Sequence, residues 1–211
     1  MTQAVLLANG IAGMGLGVSQ DMQDKLLAYL NLLQKWNKVY NITAVRDPLE
    51  MVTLHLLDSL SVLPYVNTKN LLDVGSGGGL PGIVLAICKP GLQVTTIDTV
   101  QKKAIFMRQV KGELGLDNLT VVHARVESYK PIEPFGVIIS RAFSELSLFV
   151  KLTKHLLADQ GQWLAMKGQV PHEELNGLEV KLNKIVPLNV AGLEAERHLL
   201  VLERFALEDQ G

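Results

Sequence analysis

Residues 73–82, with the sequence DVGSGGGLPG, decide the fold of this chain. They end the apolar segment Asn70–Val74, which predicts a strand, and they lead into the apolar run Leu80–Cys88, which predicts a helix. Five glycines in eight positions are costly unless the backbone must turn sharply or approach a ligand closely. Pro81 suits the first turn of the helix, where its missing N–H is not needed. The stretch therefore predicts a ligand-binding turn between a strand and a helix.

The order strand, turn, helix recurs over the rest of the chain. Predicted strands lie at Asn70–Val74, Gln93–Asp98, Leu119–His123, Val137–Ser140 and Gln162–Lys167, with two closing strands at Lys184–Val190 and His198–Arg204. Helices are predicted up to Cys88, over Lys102–Leu114 and up to Leu157. Parallel strands joined by helices form a doubly wound sheet, which binds ligands beyond the carboxyl ends of its strands. The pattern predicts an α/β, Rossmann-like fold with a mostly parallel, seven-stranded sheet and helices on both faces.

The residues before the first strand have a helical pattern. Ser19 is a suitable N-cap for a helix whose apolar stripe consists of Met22, Leu26, Leu30 and Leu33. A second helix is predicted over Glu50–Leu63. Residues 1–18 hold four glycines and little periodicity, so we expect a loosely held lead-in. We expect one compact domain in which residues 1–66 form a helical extension packed on a core of residues 67–206.

The charge of the chain restricts how it can bind nucleic acid. The formal net charge is −1, and aromatic residues make up only 5% of the sequence. Phosphate neutralisation by Lys and Arg supplies most non-specific affinity for nucleic acid, so a free-standing binder usually has a basic excess. An RNA substrate would therefore have to meet a local basic face, or be highly structured itself.

The cysteine content and the apolar runs indicate the cellular compartment. Cys88 is the only cysteine, which excludes an internal disulfide and a multi-cysteine zinc site, and its apolar surroundings predict a buried, inert thiol. The nine-residue run Leu80–Cys88 is much shorter than the about twenty apolar residues of a membrane-spanning helix. Residues 1–18 contain no Lys or Arg, unlike a secretory signal. We expect a cytoplasmic protein with no membrane partner.

Two cofactors compete for the glycine turn. Gly77, Gly79 and Gly82 satisfy G-x-G-x-x-G, and Asp98 follows at a distance that a nicotinamide-dinucleotide site would require. In such a site, however, the first glycine follows the strand immediately, whereas residues 75 and 76 intervene here. The turn instead resembles motif I of class I S-adenosylmethionine-dependent methyltransferases, Asp-x-Gly-x-Gly-x-Gly. That class pattern implies that Asp98 accepts hydrogen bonds from the ribose of the cofactor.

Further segments resemble a single family. They are Trp36–Ala44, His55–Leu60, Asp73–Ile83, Lys102-Lys103, Phe106–Gln109, Ala124–Glu127, Ser140–Ala142 and Lys167-Gly168. Together they are similar to the bacterial 16S rRNA guanine-N7 methyltransferases, the glucose-inhibited division protein B family, over roughly residues 22–204. The one departure is Gly78, where proline is often expected. The resemblance implies methyl transfer from S-adenosylmethionine to N7 of one guanine, position 527, of the 16S rRNA.

The resemblance also implies the roles of particular residues. Cofactor contacts are expected from Gly75, Gly77, Leu80, Val126, Glu127 and Arg141, with Asp98 added from the class pattern. Candidates for holding the RNA are Lys38, Asn41, Thr43, Arg46 and Lys167. Guanine N7 carries a lone pair and no proton, so no general base and no metal are expected. Arg141 and Arg125 are expected to position the reactants, with the base everted from its stack and a donor holding O6 alone.

Several of these residues have a purely structural alternative. Arg141 could pair with a carboxylate such as Glu145, and His55 and Asp58 could form a pair on a helix surface. Trp36 and Tyr40, four residues apart, are more typical of helix packing than of base stacking.

Alternatives also remain for the function. They are a methyltransferase acting on a protein or small molecule, an NAD-dependent oxidoreductase, and a non-catalytic RNA-binding subunit. The expected partner is the 16S rRNA or the small ribosomal subunit, and the expected oligomeric state is a monomer.

Overall fold

The computed structural model describes residues 1–141, 143 and 145–205. Its strands are β1 (Asn70–Val74), β2 (Gln93–Asp98), β3 (Leu119–His123), β4 (Phe135–Ser140), β5 (Leu157–Lys167), β6 (Lys181–Pro187) and β7 (His198–Glu203). They form one sheet in the order β3-β2-β1-β4-β5-β7-β6. The five strands β1–β5 pair in parallel, while β7 is antiparallel to both β5 and β6. The mostly parallel, seven-stranded sheet is thereby confirmed.

Eight α-helices accompany the sheet within the described residues. They are α1 (Gln3–Gly13), α2 (Gln20–Tyr40), α3 (Pro48–Met51), α4 (Asp58–Leu60), α5 (Gly82–Cys88), α6 (Gln101–Leu114), α7 (Leu146–Thr153) and α8 (His172–Leu175). A π-helical segment, Val52–Leu57, joins α3 to α4, and short 3₁₀ turns lie at Leu63–Tyr65, Val126–Ser128 and Lys154–Leu156. Among the described residues, none of the helices is both long and apolar enough to span a membrane.

The two faces of the sheet bury two different apolar cores. Alternate residues of a strand point to opposite faces, so Leu71 belongs to the core under α5 and α6, whereas Leu72 belongs to the core under α7. Phe106 of α6 and Phe149 of α7 are completely buried on their respective sides. The helices therefore cover both faces, as the sequence pattern predicts.

The N-terminal segment is more ordered than its sequence indicates. Residues 1–18 were expected to be a loose lead-in, but they contain α1, which begins where the Thr2 hydroxyl accepts a hydrogen bond from the Val5 N–H. The helix buries Leu7 and Ile11 in the larger core. The expectation was wrong because the glycines that weaken the helical pattern include Gly10, which lies directly against Leu57.

Two element boundaries also differ from the prediction. The helix expected up to Leu157 ends at Thr153, and β5 already begins at Leu157 instead of Gln162. The exposed residues 159 and 160 mask the beginning of this strand because they interrupt its apolar run. The closing strand expected over Lys184–Val190 lies at Lys181–Pro187. Residue 206 of the expected core, and Ala142 of the Ser-Arg-Ala motif, lie outside the described residues.

The strand order determines where a ligand can bind. The chain runs outward from β1 to β2 and β3, and then returns to place β4 on the other side of β1. The order therefore reverses between β1 and β4, and such a switch point leaves a crevice at the carboxyl ends of the strands. The glycine turn follows β1 and Arg141 follows β4, so both reach this edge.

Candidate active site

Asp98, the last residue of β2, holds the glycine turn (residues 75–79) by a hydrogen bond. Gly75, Gly77 and Gly79 have φ values of 69°, 60° and 91°, a region that favours glycine. One oxygen of Asp98 accepts a hydrogen bond from the Gly77 N–H at 2.8 Å, and the other accepts from the Val100 N–H at 2.8 Å. A carboxylate has about four lone-pair positions, so Asp98 retains acceptor capacity for a ligand.

A buried carboxylate lies beneath the same turn. Asp73 is completely buried, and its Oδ2 accepts a hydrogen bond from the Gly82 N–H at the start of α5. Its Oδ1 has no hydrogen-bond partner among the described residues. Burial raises the pKa of Asp73 to about 7.

Helix α2 closes the turn from the side. The buried Tyr29 hydroxyl donates a hydrogen bond to the Gly78 carbonyl at 2.8 Å, and burial raises its pKa. A Cβ at Gly78 would contact Leu33 and Ile42 at 3.3 and 3.4 Å. The N-terminal helices therefore form part of the frame that holds the turn.

The glycine-turn cleft, of about 390 Å³, opens above the ends of β1, β2 and β3. Its lining includes Gly75, Asp98, Arg125, Val126, Glu127 and Phe143. A Cβ placed on Gly75 would have no atom within 4 Å, so the space that a side chain would fill is open there. Apolar walls with a few carboxylates and glycine backbone are typical of a nucleoside site.

Three expected cofactor contacts, Gly77, Leu80 and Arg141, are not among the residues that line the glycine-turn cleft. Leu80 is 4% exposed and packs in the larger core, and it does not line the glycine-turn cleft. Gly77 is one residue removed from the cleft, since its N–H donates to Asp98, which lines it. Arg125 lies at the cleft with 79% of its side chain exposed, and its Nε is 3.6 Å from Glu127.

A second cleft, also of about 390 Å³, lies beside the ends of β4 and β5. We call it the arginine cleft, and its lining includes His55, Asp58, Arg141, Lys167, Gly168 and Arg197. Arg141 Nη1 donates to the Leu54 carbonyl at 3.0 Å and to Asp58 Oδ2 at 3.2 Å. Arg197 Nε donates to Asp58 Oδ1 at 3.0 Å. Arg141 and Phe143 thus place the two clefts side by side where the chain leaves β4.

Asp58 and His55 are interior residues, and the surface-pair alternative is wrong. Their exposures are 3% and 4%, because the π-helical segment turns both toward the sheet. Burial, and then the charge of Arg141, lowers the pKa of His55 to about 4, so this imidazole is neutral at pH 7. The carboxylate that pairs with Arg141 is Asp58, whereas Glu145 was the suggested partner.

Of the expected RNA contacts before the core, Thr43 lies against a residue that lines the arginine cleft. The Thr43 hydroxyl is 2.9 Å from His55 Nε2, and Val45 lines the cleft. Exposed Arg46 donates from Nη2 to Asn41 Oδ1 at 2.6 Å. Lys38 is exposed in the last turn of α2. The loop that follows α2 therefore brings a polar group, the Thr43 hydroxyl, beside the cleft.

Lys167 lies inside this cleft. Its Nζ donates to the Phe143 carbonyl at 3.0 Å and lies 3.6 Å from Glu174, and its side chain is only 13% exposed. These contacts tie the end of β5 to the segment after β4.

Trp36 and Tyr40 pack as helix residues. The Trp36 ring lies 5.5 Å from Phe106 and 4.8 Å from Tyr40, measured between ring centroids. Trp36 Nε1 donates to Gln109 of α6 at 3.0 Å. These contacts join α2 to α6, as the helix-packing interpretation requires.

The sequence does not reveal Arg197 as a site residue. It precedes β7, far along the chain from the other motifs, and no local pattern marks it. The signal that could have found it is topological. An antiparallel closing strand begins at the edge where its parallel neighbour ends, and Lys167 of β5 does pair with His198 of β7.

Other reactive groups are not assembled at either cleft. Across residues 1–141, 143 and 145–205, no group of three His, Cys, Asp or Glu side chains could hold a metal ion. Burial raises the pKa of the Cys88 thiol to about 12, in keeping with an inert core residue.

Comparison with known proteins identifies the family. The model of the family described as GidB, rRNA small subunit methyltransferase G, matches residues 22–200. The chain belongs to the GidB family. A relative from Methylobacillus flagellatus named ribosomal RNA small subunit methyltransferase G is 65% identical, covering 93% of this chain and 96% of the relative. GidB relatives of the same name from Aromatoleum aromaticum and Neisseria gonorrhoeae are 53% and 51% identical, covering 95% and 94% of this chain and 99% and 97% of their own.

Solved structures share the fold of this GidB chain at low identity. An S-adenosylmethionine-dependent methyltransferase from Aquifex aeolicus has a TM-score of 0.57 at 19% identity, covering 77% of this chain and 96% of its own. The glycopeptide N-methyltransferase MtfA, in complex with S-adenosyl-L-homocysteine, has a TM-score of 0.61 at 10% identity, covering 71% and 87%. The Rossmann-like methyltransferase fold is thereby confirmed for the GidB chain.

Proposed function

We propose that this GidB-family chain transfers a methyl group from S-adenosylmethionine to N7 of a guanine in the 16S rRNA of the small ribosomal subunit. The observation that carries the proposal is the pair of clefts at the carboxyl edge of the sheet, one lined by Arg141 and the other by Phe143. The relatives' name supports an rRNA substrate and favours the methyltransferase interpretation of the glycine turn over the nicotinamide one.

The glycine-turn cleft fits the methyl donor. S-adenosylmethionine supplies an electrophilic methyl group when it is bound. Gly75 allows close backbone approach, Asp98 accepts from hydroxyl groups, and Val126 and Glu127 border the space beyond β3.

The arginine cleft fits the acceptor base. Because N7 of guanine has a lone pair and no proton, the chain needs no group to remove a proton before transfer. The buried residues agree with this requirement, since the lowered pKa of His55 makes its imidazole a weak base and both oxygens of Asp58 bind arginines. The residues of this cleft act by binding and orienting the base beside the donor.

The form of the substrate follows from the charge of the whole chain. A net charge of −1 gives little general attraction to RNA, which favours a structured small subunit over naked RNA. Both clefts are built from a single chain, so the proposed active species is a monomer.

The test is transfer of labelled methyl from S-adenosylmethionine to small subunits that lack the modification, followed by digestion and identification of the nucleoside. We expect the label in 7-methylguanosine of the 16S rRNA. Label in another nucleoside or in a protein would contradict the proposal, as would the absence of label despite measurable cofactor binding.

Replacing Arg141 by alanine should abolish transfer to subunits and leave cofactor binding measurable, because Arg141 lines the arginine cleft, with only 27% of its side chain exposed, and does not line the glycine-turn cleft. Single-turnover transfer and cofactor titration are measured on the same preparation. Arg108→Ala, which removes an exposed arginine of α6, is the matched control and should transfer at the wild-type rate. Wild-type turnover by Arg141→Ala would remove Arg141 from the site.

A further inference from the structure

The arginine cleft contains an arrangement that the transfer of a methyl group does not by itself require. One carboxylate, Asp58, binds two guanidinium groups, one through each of its oxygens. Its side chain is 4% exposed, whereas the side chains of Arg141 and Arg197 are 27% and 26% exposed. Asp58 is therefore enclosed, while the two arginines present surface to the cleft.

The hydrogen bonds made by the two arginines leave some N–H donors of each guanidinium group available to a ligand. Arg141 uses Nη1 for Leu54 and Asp58, and Arg197 uses Nε for Asp58 and Nη1 for the Glu196 carbonyl. The Nη2 groups of both have no partner within residues 1–141, 143 and 145–205. An arginine has five N–H donors, so each side chain retains donors for a ligand. Because the opposite side of each guanidinium is bound, these donors are held in fixed directions.

The charge balance distinguishes between two ligands. A phosphate would gain most from two unpaired guanidiniums, and a buried carboxylate beside it would repel it. Asp58 neutralises one of the two guanidinium charges, and Glu174 lies 3.6 Å from Lys167, the third cation of the cleft. This balance leaves a donor pair better suited to a neutral acceptor such as a carbonyl oxygen. The negative charge of Asp58 also reduces the repulsion between the two guanidiniums and the positive charge that spreads into a purine when N7 is alkylated.

We propose that Asp58, Arg141 and Arg197 form a reader of the purine 6-oxo group, in which Asp58 is the positioning residue and the guanidiniums donate to O6 while N7 stays free. This inference rests on the proposed function and deepens it, because it assigns the choice of guanine over other purines to three named residues. A base that lacks O6 leaves the desolvated donors without an acceptor, which is the most effective way to reject it. The 2-amino group of guanine has no part in this reading.

The first experiment uses the wild-type chain and three substrates. Small subunits are reconstituted with 16S rRNA that carries guanosine, inosine or 2-aminopurine riboside at the methylated position. Inosine keeps O6 and N7 but lacks the 2-amino group, whereas 2-aminopurine keeps N7 and the 2-amino group but lacks O6. We expect inosine to be methylated at a rate comparable to guanosine, and 2-aminopurine about ten- to a hundred-fold more slowly.

Each outcome of this experiment is decisive. Equal rates on inosine and 2-aminopurine overturn the reading of O6, and so does a strong preference for guanosine over inosine. Failure to methylate the guanosine subunits overturns the proposed function instead, since all three substrates then behave alike.

The second experiment tests the three residues with Asp58→Asn and Arg197→Lys. Asparagine removes the charge that holds both guanidiniums, and lysine keeps the charge but cannot reproduce the fork. Both variants should reduce the ratio of the inosine rate to the 2-aminopurine rate toward one. Their affinity for S-adenosylmethionine should stay at the wild-type value, because Asp58 and Arg197 do not line the glycine-turn cleft.

The controls are Asp21→Asn, which breaks an exposed pair with Lys25, and Arg204→Lys, which changes an arginine bound to the carbonyls of Lys154 and Leu157. Both should keep the wild-type ratio. If Asp58→Asn or Arg197→Lys keeps it too, the assignment is overturned. Loss of cofactor affinity together with activity in both variants also overturns it, since the residues would then only hold the fold.

Discussion

At the scale of single residues, Gly75 and Gly115 adopt nearly the same backbone conformation for different reasons. Their φ values are 69° and 61°, and neither has an atom within 4 Å of the position that a Cβ would occupy. Gly115 is the C-cap of α6, where a left-handed residue ends a helix. Gly75 instead lines the glycine-turn cleft. A side chain at either position would therefore strain the backbone. Only at Gly75 would it also fill the space that we propose for the cofactor.

Gly75→Ala and Gly115→Ala should consequently lose similar stability and differ in cofactor binding. Each places an L side chain in the left-handed region at a cost of about 1–2 kcal/mol, which urea unfolding would report. Only Gly75→Ala should also lose affinity for S-adenosylmethionine, by roughly ten-fold or more, about 1.4 kcal/mol, in a calorimetric titration. Equal affinities of the two variants would contradict the placement of the cofactor at Gly75.

The sequence predicts residues whose role depends on a local pattern. Gly75 and Asp98 are predictable because a turn after a strand and an acidic residue at the end of the next strand are marked by neighbouring residues. Asp58 and Arg197 are different, since their pairing at 3.0 Å joins positions that are distant in the chain. Such a contact depends on which strands and helices pack together. A periodicity of 2 or 3.6 residues predicts the type of an element and its buried face, but not its neighbours.

At the scale of elements, the N-terminal helices were the hardest to predict. The pattern of residues 50–63 is that of one helix, and it does not show that Val52–Leu57 is π-helical. The π-helical segment matters because two of its residues, Leu54 and His55, line the arginine cleft. In α1, the glycines lower the helix propensity, and the sequence therefore argues against a helix. The contact with Leu57 that requires a glycine at position 10 cannot be seen in the sequence.

This contact predicts opposite effects for two glycines of α1. A Cβ at Gly10 would overlap the Leu57 side chain, which is completely buried and cannot move aside. Gly13 is exposed, and a Cβ there would meet only Ala191 at 4.0 Å. Gly10→Ala should therefore be destabilising despite a gain in helix propensity, and Gly13→Ala should be neutral or stabilising.

Urea unfolding of the two alanine variants measures this difference. Overpacking costs about 1–3 kcal/mol, so the free energy of unfolding of Gly10→Ala should be lower than that of Gly13→Ala by a similar amount. A Gly10→Ala variant as stable as Gly13→Ala would show that α1 does not lie against the π-helical segment.

At the scale of the whole molecule, two buried groups oppose one another in the pH dependence of stability. The pKa of Asp73 is raised to about 7, so the folded state keeps a proton that the unfolded state releases near pH 4. Its contribution to stability is complete below pH 4 and is lost as the pH rises through 7. The pKa of His55 is lowered to about 4, so its contribution is complete above pH 6.5 and is lost as the pH falls through 4.

Asp73→Asn and His55→Gln should therefore change the stability profile in opposite directions. Relative to wild type, the free energy of unfolding of Asp73→Asn should increase between pH 4 and 7, on the order of 1.4 kcal/mol per unit of pKa shift. That of His55→Gln should decrease relative to wild type over the same range. Urea unfolding at half-unit steps of pH measures both differences, and slopes of the same sign would show that one of the two groups is not buried as described.

The charge of the whole molecule determines how strongly salt weakens binding to the subunit. Exposed basic groups include Lys38 and Arg46 around the end of α2 and Arg125 at the glycine-turn cleft, in a chain whose net charge is −1. Three phosphate contacts, with a log–log slope of ~0.9 for each, reduce affinity only about forty-fold between 50 and 200 mM salt, whereas six to ten contacts reduce it ~10³–10⁵-fold. Most of the affinity must then come from the shape of the target and from contacts inside the arginine cleft.

We therefore expect a shallow salt dependence for binding of the chain to unmodified small subunits. Co-sedimentation at several salt concentrations gives the slope of log affinity against log salt concentration. Arg46→Ala should reduce this slope by about one, and it should weaken binding by the same factor whether the target position carries guanosine or one of its analogues. Lys151→Ala, on α7 outside the lining of either cleft, is the control and should leave the slope unchanged. A loss of a thousand-fold or more over this range would mean that a larger basic surface binds the RNA, and Lys38, Arg46 and Arg125 would then be only part of the interface.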